Sequence, residues 1–322
     1  MLLSGEKFGA FIVPTGIGAS IGGYAGDASV WARKFAKVSK LIVNPNVVNA
    51  ASFSGITDNM FYVEGYSIDE FFKGNIKLKE STDNKIGIVF DKSIPEDVLN
   101  VHINTINAIK TVYGINILDF EVTNLSVGVE FYVNERGVSL GKVNNVETLR
   151  KSVENLISKG ADAIAIVCMF EDSDDEDYSD GNGVDPVGGV EAIISHFVSK
   201  EFKVPCAHSP AFKDYQISSK IVSPKAAAEY VTPTFLPCIL LGLENAPTLD
   251  GHISIDMLDY LVMPYNSLGS TPVFEALKRG IKVFAVKENS TNLSVENCNL
   301  HKNDNIVIVE SYAECLELVK NL

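Results

Sequence analysis

Short apolar stretches that alternate with helical patterns are the feature that most constrains how this chain can fold. The stretches at residues 8–13, 85–90, 163–168 and 282–286 consist mainly of Val, Ile, Phe and Ala, without a polar residue at every second position. Strands of this kind are buried on both faces, as happens when parallel strands are covered by helices. The sequence therefore predicts an α/β fold of mostly parallel sheets flanked by helices, Rossmann-like in type. We expect either two α/β halves, residues 1–145 and 146–322, or one integrated unit.

The balance of charges excludes two classes of partner. The 322 residues include 27 Lys and Arg against 41 Asp and Glu, which gives a net charge of −14. Nucleic acids and anionic membranes attract clustered positive charge, so we expect neither as a partner. No apolar stretch reaches the roughly 18 to 20 residues of a membrane span, and the first residues do not show the pattern of a signal peptide. Five widely spaced cysteines do not suggest a disulfide framework, and we therefore expect a cytoplasmic protein.

A glycine-rich segment follows the first predicted strand and is the sharpest local motif. Glycine lets backbone amides approach a ligand closely, and the helix predicted after the segment adds a positive end. We therefore expect a seat for a phosphate or a carboxylate here. An alternative role for Asp27 is to cap the helix predicted from Ser29. The candidate ligand-binding residues of this segment are Thr15, Gly16, Gly18, Ser20, Gly22, Gly23 and Asp27.

The spacing of these glycines does not match the standard nucleotide motifs. Gly16, Gly18 and Gly22 form G-x-G-x-x-x-G rather than G-x-G-x-x-G, and the second predicted strand is followed by Asn44 rather than by an acid. A G-x-S-x-G match places Ser20 seven residues beyond the end of the first strand, which is too far for a nucleophile elbow.

Further polar residues follow the second predicted strand or open a later helix. Ligands of open parallel sheets bind at the carboxyl ends of strands, so we expect the asparagines after the second strand to orient the bound anion. Two glycines at the start of the helix predicted over residues 187–200 form a second candidate anion seat. The acidic run at residues 171–180 lacks the spacing of a calcium loop, and we expect a solvated flap there. The candidates in these two groups are Asn44, Asn46 and Asn49, and Asp185, Gly188 and Gly189.

Proton transfer is the chemistry that residues near 206–208 suggest. His208 follows a predicted strand, and histidine titrates near neutrality, which makes it the candidate acid or base. Cys206 and Cys168 are its candidate catalytic partners. A metal site formed with His196 is an alternative, but no short paired spacing supports it. We expect His196 instead to lie on an apolar helix, with its side chain in the protein core. No motif requires a cofactor.

Two short segments resemble known enzyme families. Residues 160–211, from GADAIAIVC to VPCAHSPA, resemble the later half of the aspartate/hydantoin racemase and arylmalonate decarboxylase superfamily. In that superfamily a cysteine at such a strand end shuttles a proton, which implies that role for Cys168, although no earlier cysteine supplies a second base. Residues 267–286 are similar to the donor-phosphate segment of two-domain glycosyltransferases, which implies phosphate binding by Ser267, Ser270 and Thr271.

A third resemblance spans nearly the whole chain. The segments that carry it are VPTGIGASIGGYAGDA, NPNVVNAASF, YVEGY, GVDPVGGVEAIISH, PCAHSPA and TFLPCILLGL. They resemble the characteristic segments of a family of uncharacterised proteins that is common in cyanobacteria and found in other bacteria. The resemblance implies one family-wide unit and carries no activity.

These patterns together predict an enzyme that acts on a small anionic metabolite by proton transfer, of the isomerase, racemase or lyase type. One alternative is a nucleotide- or phosphosugar-dependent transferase that uses residues 267–271. The other is a non-catalytic protein that senses a metabolite. Association into a homo-oligomer stays open.

Overall fold

Two parallel β-sheets organise the computed structural model, which describes residues 6–170, 176–181, 184–185, 187–215, 217, 219–293 and 299–322. The strands are β1 (Phe8–Phe11), β2 (Lys40–Val43), β3 (Asn49–Ala50), β4 (Phe53–Ser54), β5 (Met60–Tyr62), β6 (Leu78–Lys79), β7 (Ile86–Phe90), β8 (Ile117–Val122), β9 (Val129–Val133), β10 (Ser139–Val143), β11 (Ala163–Met169), β12 (Cys206–Ala211), β13 (Thr248–Ile253), β14 (Tyr260–Pro264), β15 (Lys282–Val286) and β16 (Ile306–Val309). The helices are α1 (Ser29–Phe35), α2 (Pro45–Val48), α3 (Gly65–Lys73), α4 (Glu96–Tyr113), α5 (Val146–Ser158), α6 (Glu176–Ser179), α7 (Gly188–Phe202), α8 (Ala227–Tyr230), α9 (Leu236–Glu244), α10 (Thr271–Lys278) and α11 (Tyr312–Lys320).

The larger sheet has six strands in the order β16-β15-β14-β1-β2-β5, and all of its pairs are parallel. Counted along the chain within this sheet, the order is 3-2-1-4-5-6, read from β5. That is the order of doubly wound Rossmann sheets, in which ligands bind at the carboxyl ends of the strands near the point where the order reverses. Here the reversal falls at β1, so the segment that follows β1 lies at the expected ligand position.

The smaller sheet has four parallel strands in the order β12-β11-β7-β8. The predicted α/β fold with parallel sheets and flanking helices is therefore confirmed. Each sheet contains strands from before and after residue 145, and the division of the chain into residues 1–145 and 146–322 stays a prediction.

One apolar cluster joins the two sheets. It contains Phe11 and Val262 from the larger sheet, Ile88 and Ala207 from the smaller one, and Leu240 of α9. All five side chains are fully buried, so water is excluded from the junction between the sheets. The carboxyl ends of β1 and β2 therefore have a fixed position relative to β12.

Helix α5 shows how local sequence sets an element boundary. Its apolar residues Leu149, Val153 and Leu156 recur at helical spacing and are buried. Gly160 follows the helix at a φ of +101°, and its N–H donates to the Ile157 carbonyl at 2.9 Å. The Ala161 N–H donates to the Leu156 carbonyl at 3.1 Å, which completes a Schellman motif. The predicted end of this helix at Gly160 is confirmed.

The strand that was predicted to end before His208 continues past it in the structure. Strand β12 begins at Cys206 and continues to Ala211, so His208 lies within the strand rather than after it. The pair Ser209 and Pro210 is typical of a turn, but β12 is the edge strand of its sheet, where proline is tolerated. Strands β9 and β10 form an antiparallel hairpin.

Candidate functional site

A cavity of about 150 Å³ lies at the junction of the two sheets. Residues that follow β1 and β2 line one side of it, and residues of β12 and the first turn of α7 line the other. Sites for drug-sized ligands usually measure roughly 300–1,000 Å³, so this cavity suits a small metabolite.

The cavity brings together eight of the residues predicted from the sequence. Thirteen other residues of the described chain also line it, among them Tyr24, Tyr178, Glu191, Glu229 and Cys238, which were not selected from the sequence. The predicted residues that line the cavity are Thr15, Gly22, Gly23, Asn46, Asn49, Asp185, Gly188 and His208.

The glycine-rich segment donates several of its amides to acceptors of the protein itself. The Gly22 N–H donates to Asp27 Oδ1 at 2.6 Å, and the Ala25 N–H donates to Glu229 Oε1 at 3.0 Å. The Ile21 N–H donates to Asn289 Oδ1 at 3.0 Å. Much of the donor capacity expected to hold an anion is thus already bound, and two of the acceptors are carboxyls.

Asp27 does not cap α1, which corrects the alternative role considered for it. The N-cap of α1 is Ala28, and no side chain caps the helix. Asp27 instead binds Gly22, and burial raises its pKa to about 6. Its Oδ2 atom has no hydrogen-bond partner among the described residues.

Four more predicted residues stabilise the segment without lining the cavity. Asn44 accepts from the Val13 N–H at 3.1 Å and donates to the Val13 carbonyl at 2.7 Å. Ser20 Oγ accepts from the Ser290 N–H at 2.9 Å. Gly16 and Gly18 have φ values of +70° and +60°, and a Cβ at Gly18 would lie 2.4 Å from the Asn292 amide nitrogen, so the segment needs glycine for its own conformation.

The second predicted anion seat, at the start of α7, is also occupied by side chains of the protein. Asp185 Oδ1 accepts from the Val187 N–H at 3.0 Å. Ser139 Oγ of β10 accepts from the Gly189 N–H at 2.9 Å, and a Cβ at Gly189 would lie 2.4 Å from the Ser139 carbonyl oxygen. An anion therefore has to compete with Asp185 and Ser139 for this helix end. Anion binding stays a prediction, and the geometry of both seats weighs against it.

His208 begins a chain of hydrogen bonds that leads away from the cavity. Its Nδ1 atom lies 2.9 Å from Ser195 Oγ. Ser195 Oγ has two acceptors, Glu64 Oε2 at 3.4 Å and the Ala192 carbonyl at 3.3 Å. When the Ser195 hydroxyl donates to either of them, His208 Nδ1 must carry the proton, which leaves Nε2 as the unprotonated nitrogen.

The chain of hydrogen bonds returns to the cavity through Tyr62. The Tyr62 hydroxyl donates to Glu64 Oε1 at 3.2 Å and accepts from Asn49 Nδ2 at 3.2 Å. Asn49 lines the cavity, and its Oδ1 atom has no hydrogen-bond partner in the described part of the chain. Glu64 thus lies behind the cavity wall and connects His208 to Asn49.

Burial separates the pKa values of the groups around the cavity. Burial, with a smaller effect of His196, lowers the pKa of His208 to about 3. Burial raises the pKa of Glu64 to about 8 and that of Glu229 to about 7. Burial together with the negative charges of Asp185, Glu64 and Glu229 raises the pKa of Glu191 well above its ordinary value. Near neutral pH His208 is therefore unprotonated, Glu64 behind the cavity wall keeps its proton, and Glu229 is partly protonated.

Two residues of the 171–180 run are buried beside the cavity, whereas Asp180 is exposed, and the solvated flap stays a prediction. Tyr178 and Ser179 are buried, and Tyr178 lines the cavity. The Tyr178 ring stacks on Tyr24 with centroids 4.6 Å apart, and its hydroxyl donates to Glu229 Oε1 at 2.8 Å. Residues 171–175 of the run lie outside the described residues.

The two predicted catalytic cysteines do not line the cavity. Cys168 and Cys206 are each 1% exposed and belong to the apolar cluster of the smaller sheet. Burial, with nearby carboxyls, raises the pKa of both thiols well above the ordinary value, so neither forms a thiolate readily. We do not retain them as proton carriers.

The predicted phosphate-binding residues after β14 lie apart from the cavity lining. Ser267 is buried and donates through Oγ to the Pro264 carbonyl at 3.0 Å. Ser270 and Thr271 open α10, whose predicted position agrees with the structure. None of these three residues is among those that line the cavity.

In the described ranges, no group of three or more His, Cys, Asp and Glu side chains is arranged to hold a metal ion, and that includes Cys206, His208 and His196. None of the helices in the described part of the chain combines the length and apolar character that crossing a bilayer requires.

The comparisons with known proteins agree with the widest resemblance seen in the sequence. A family model described as "Protein of unknown function (DUF3326)" matches residues 9–322. The chain belongs to the DUF3326 family. One relative of this DUF3326 protein, from Synechococcus sp., is 36% identical over 301 residues, which cover 90% of this chain and 84% of the relative. No solved structure matches the chain significantly. These matches do not show the racemase and decarboxylase likeness.

The name of the relative corrects the predicted location. It is called an uncharacterized lipoprotein, and lipoproteins are anchored to a membrane through a lipid. The prediction of a cytoplasmic protein is therefore wrong against this comparison. It depended on the lack of a disulfide framework, a membrane span and a signal peptide pattern in the sequence, and a lipid anchor requires no spanning helix.

Three carboxyls around the cavity escaped the sequence analysis for identifiable reasons. Glu191 lies in the first turn of an apolar helix and is buried. An acid among Val and Ile residues was the sequence signal that could have marked it as a site residue. Glu64 lies just after β5, separated from the end of the strand by Val63. Glu229 lies in the four-residue helix α8, and no local pattern marks it as part of a site.

Proposed function

We propose that this DUF3326 protein is an enzyme that moves a proton on a small metabolite bound in the cavity, by isomerase or lyase chemistry. The observation that carries the proposal is the presence, around one cavity, of an unprotonated His208 and of Glu229, whose pKa is raised to about 7. Pairs of titratable groups whose environments move their pKa values apart are characteristic of acid–base sites.

His208 is the proposed base. Its Nδ1–H is directed to Ser195, so Nε2 has the free electron pair that accepts a proton from a bound molecule. Its low pKa keeps the ring neutral throughout the physiological range. Glu64 Oε2 lies 4.0 Å from Nδ1. Where Glu64 is ionised, above its pKa of about 8, its charge stabilises the imidazolium that forms when Nε2 takes up a proton. Glu64 is therefore a positioning residue that acts through His208 and Ser195.

Glu229 is the proposed acid. Its Oε1 atom accepts hydrogen bonds from the Tyr178 hydroxyl and from the Ala25 N–H. An oxygen that accepts two hydrogen bonds is a poor site for the proton, which therefore resides on Oε2. A pKa of about 7 lets Glu229 donate a proton and recover it at neutral pH.

Solvent deuterium incorporation tests this function across a panel of candidate substrates. The protein is incubated in D₂O with small amines, amino acids, hydroxy acids and sugars, and carbon-bound protons are followed by NMR. We expect one class of compound to exchange a C–H proton for deuterium or to convert to product with the wild-type protein. His208→Asn abolishes that reaction, whereas His252→Asn, at an exposed position of β13, retains it.

Three results would overturn the proposal. The first is a compound that raises the melting temperature but neither exchanges nor converts, which identifies a sensor rather than an enzyme. The second is full activity of the His208→Asn variant. A panel in which no compound exchanges or converts also counts against it.

A further inference from the structure

The lining of the cavity has an uneven distribution of charge. Asp185, Glu191 and Glu229 contribute carboxyls, and no Lys or Arg is among the described residues that line it. Glu191 is 6% exposed, and its Oε1 atom has no hydrogen-bond partner in the described chain. Asn49 Oδ1, a second acceptor without a partner there, lines the same cavity. Buried polar atoms normally have partners, so these atoms indicate a bound molecule that supplies hydrogen-bond donors.

We propose that the molecule bound in this cavity is a small primary amine in its ammonium form, with Glu191 as its principal partner and Asp185 and Asn49 as further acceptors. This inference rests on the proposed function and names the substrate class for the same site. An ammonium group has three N–H donors and no acceptor, which complements two unpartnered oxygens better than a hydroxyl does.

The other ligand classes fit the lining less well. A carboxylate or phosphate would meet Asp185 and Glu191 and find no Lys or Arg on the described lining. An uncharged alcohol satisfies the oxygens but brings no positive charge to favour the charged form of Glu191. A metal ion lacks a suitable group of ligands in the described chain.

The proposal predicts that binding depends on pH. Without a ligand, burial and neighbouring carboxyls raise the pKa of Glu191 and so favour its protonated form. An ammonium ion favours the charged form, so binding shifts Glu191 towards losing its proton. Amine affinity therefore rises with pH, and protons are released on binding. The titratable groups that face Glu191 from neighbouring elements are Asp185, Glu64, Glu229, Cys168, Cys238 and His208.

Matched probes test the class of ligand. Ethanolamine, ethylene glycol and glycolate have similar size and differ in carrying an ammonium, a hydroxyl or a carboxylate; methylamine and propylamine extend the amine set. Melting temperature and calorimetric affinity are measured in amine-free buffers at about pH 6 and about pH 8, where aliphatic amines stay protonated. We expect at least one amine to bind at millimolar concentration, more tightly at the higher pH, with proton release.

Two variants locate the interaction. Glu191→Gln keeps the shape of the side chain and removes its charge, and we expect it to weaken amine binding at least tenfold and to abolish the pH dependence. Glu201→Gln makes the same change at an exposed position of α7 and retains both.

Each unfavourable outcome overturns a defined part of the account. Preferential binding of glycolate or ethylene glycol, or an absence of binding by every amine, refutes the ammonium class, and equal amine binding by Glu191→Gln refutes the role of that residue. If the substrate is not an amine but His208→Asn still loses proton transfer, the ligand class is refuted and the proposed function stands. Amine binding without deuterium exchange refutes the proposed function and leaves the ligand class intact.

Discussion

Glu64 offers a stability test that needs no substrate. It is 6% exposed, and its carboxyl accepts hydrogen bonds from Tyr62 and Ser195. Burial raises its pKa from 4.5 to about 8, so between these values the folded protein holds a proton that the unfolded chain has released. Because the folded state binds more protons, the free energy of unfolding falls as the pH rises through this window.

The size of the effect follows from the pKa shift. A change from 4.5 to about 8, at about 1.4 kcal/mol for each pH unit, amounts to about 5 kcal/mol. Glu64→Gln has no proton to release and does not lose this stability. The variant therefore gains on the wild-type protein by about 5 kcal/mol between about pH 4.5 and about pH 8, in addition to a constant change from the altered hydrogen bonds with Tyr62 and Ser195.

Urea unfolding of the wild-type protein and Glu64→Gln at both pH values measures this difference. The comparison between pH values removes the constant change, because altered hydrogen bonds shift both measurements equally. Glu201→Gln, at an exposed position, is expected to follow the wild-type protein. If Glu64→Gln shows the same pH dependence as the wild-type protein, then Glu64 does not titrate as the structure indicates, and its role behind His208 fails.

Two further stability predictions concern the cavity and the segment beside it. Burial lowers the pKa of His208 from 6.5 to about 3, so the wild-type protein loses stability as the pH falls through this range. We expect His208→Asn to reduce that loss by about 5 kcal/mol. Thermal unfolding measures the difference, with His252→Asn as the control. Asn44→Ala removes both hydrogen bonds to Val13, and we expect it to lower the free energy of unfolding in urea by about 2–4 kcal/mol. Asn75→Ala, at an exposed position, lowers it by less than about 1 kcal/mol. Equal losses in the two variants would contradict the role of Asn44.

The position of the candidate site followed from the sequence because parallel sheets place ligands at the carboxyl ends of their strands. Thr15, Gly22, Asn46 and Asn49 all follow strands of the larger sheet, and they line one cavity. His208 was selected from a wrong strand boundary, since β12 continues to Ala211. A rule about strand ends tolerates such an error, because the side chain stays at the same edge of the molecule.

The chemical character of the site could not be predicted in the same way. Glycines after a strand indicate an anion seat only if their amides are free, and the partners Asp27 and Glu229 become visible in the folded chain. Glu229 lies 204 residues after Ala25, so no local pattern relates the two. The pKa values of Glu191 and His208 depend on burial by elements that are distant in sequence.

The protonation state of His208 is the sharpest test of its role as the base of the site. Imidazole nitrogen NMR of the ¹⁵N-labelled protein, with the His208→Asn variant for assignment, reports which ring nitrogen carries a proton. We predict a neutral ring with the proton on Nδ1 from about pH 8 to about pH 5, because Ser195 accepts that proton and burial holds the pKa of His208 near 3. A ring that titrates near its ordinary pKa, or that carries its proton on Nε2, would contradict the assignment of His208 as the base of the site.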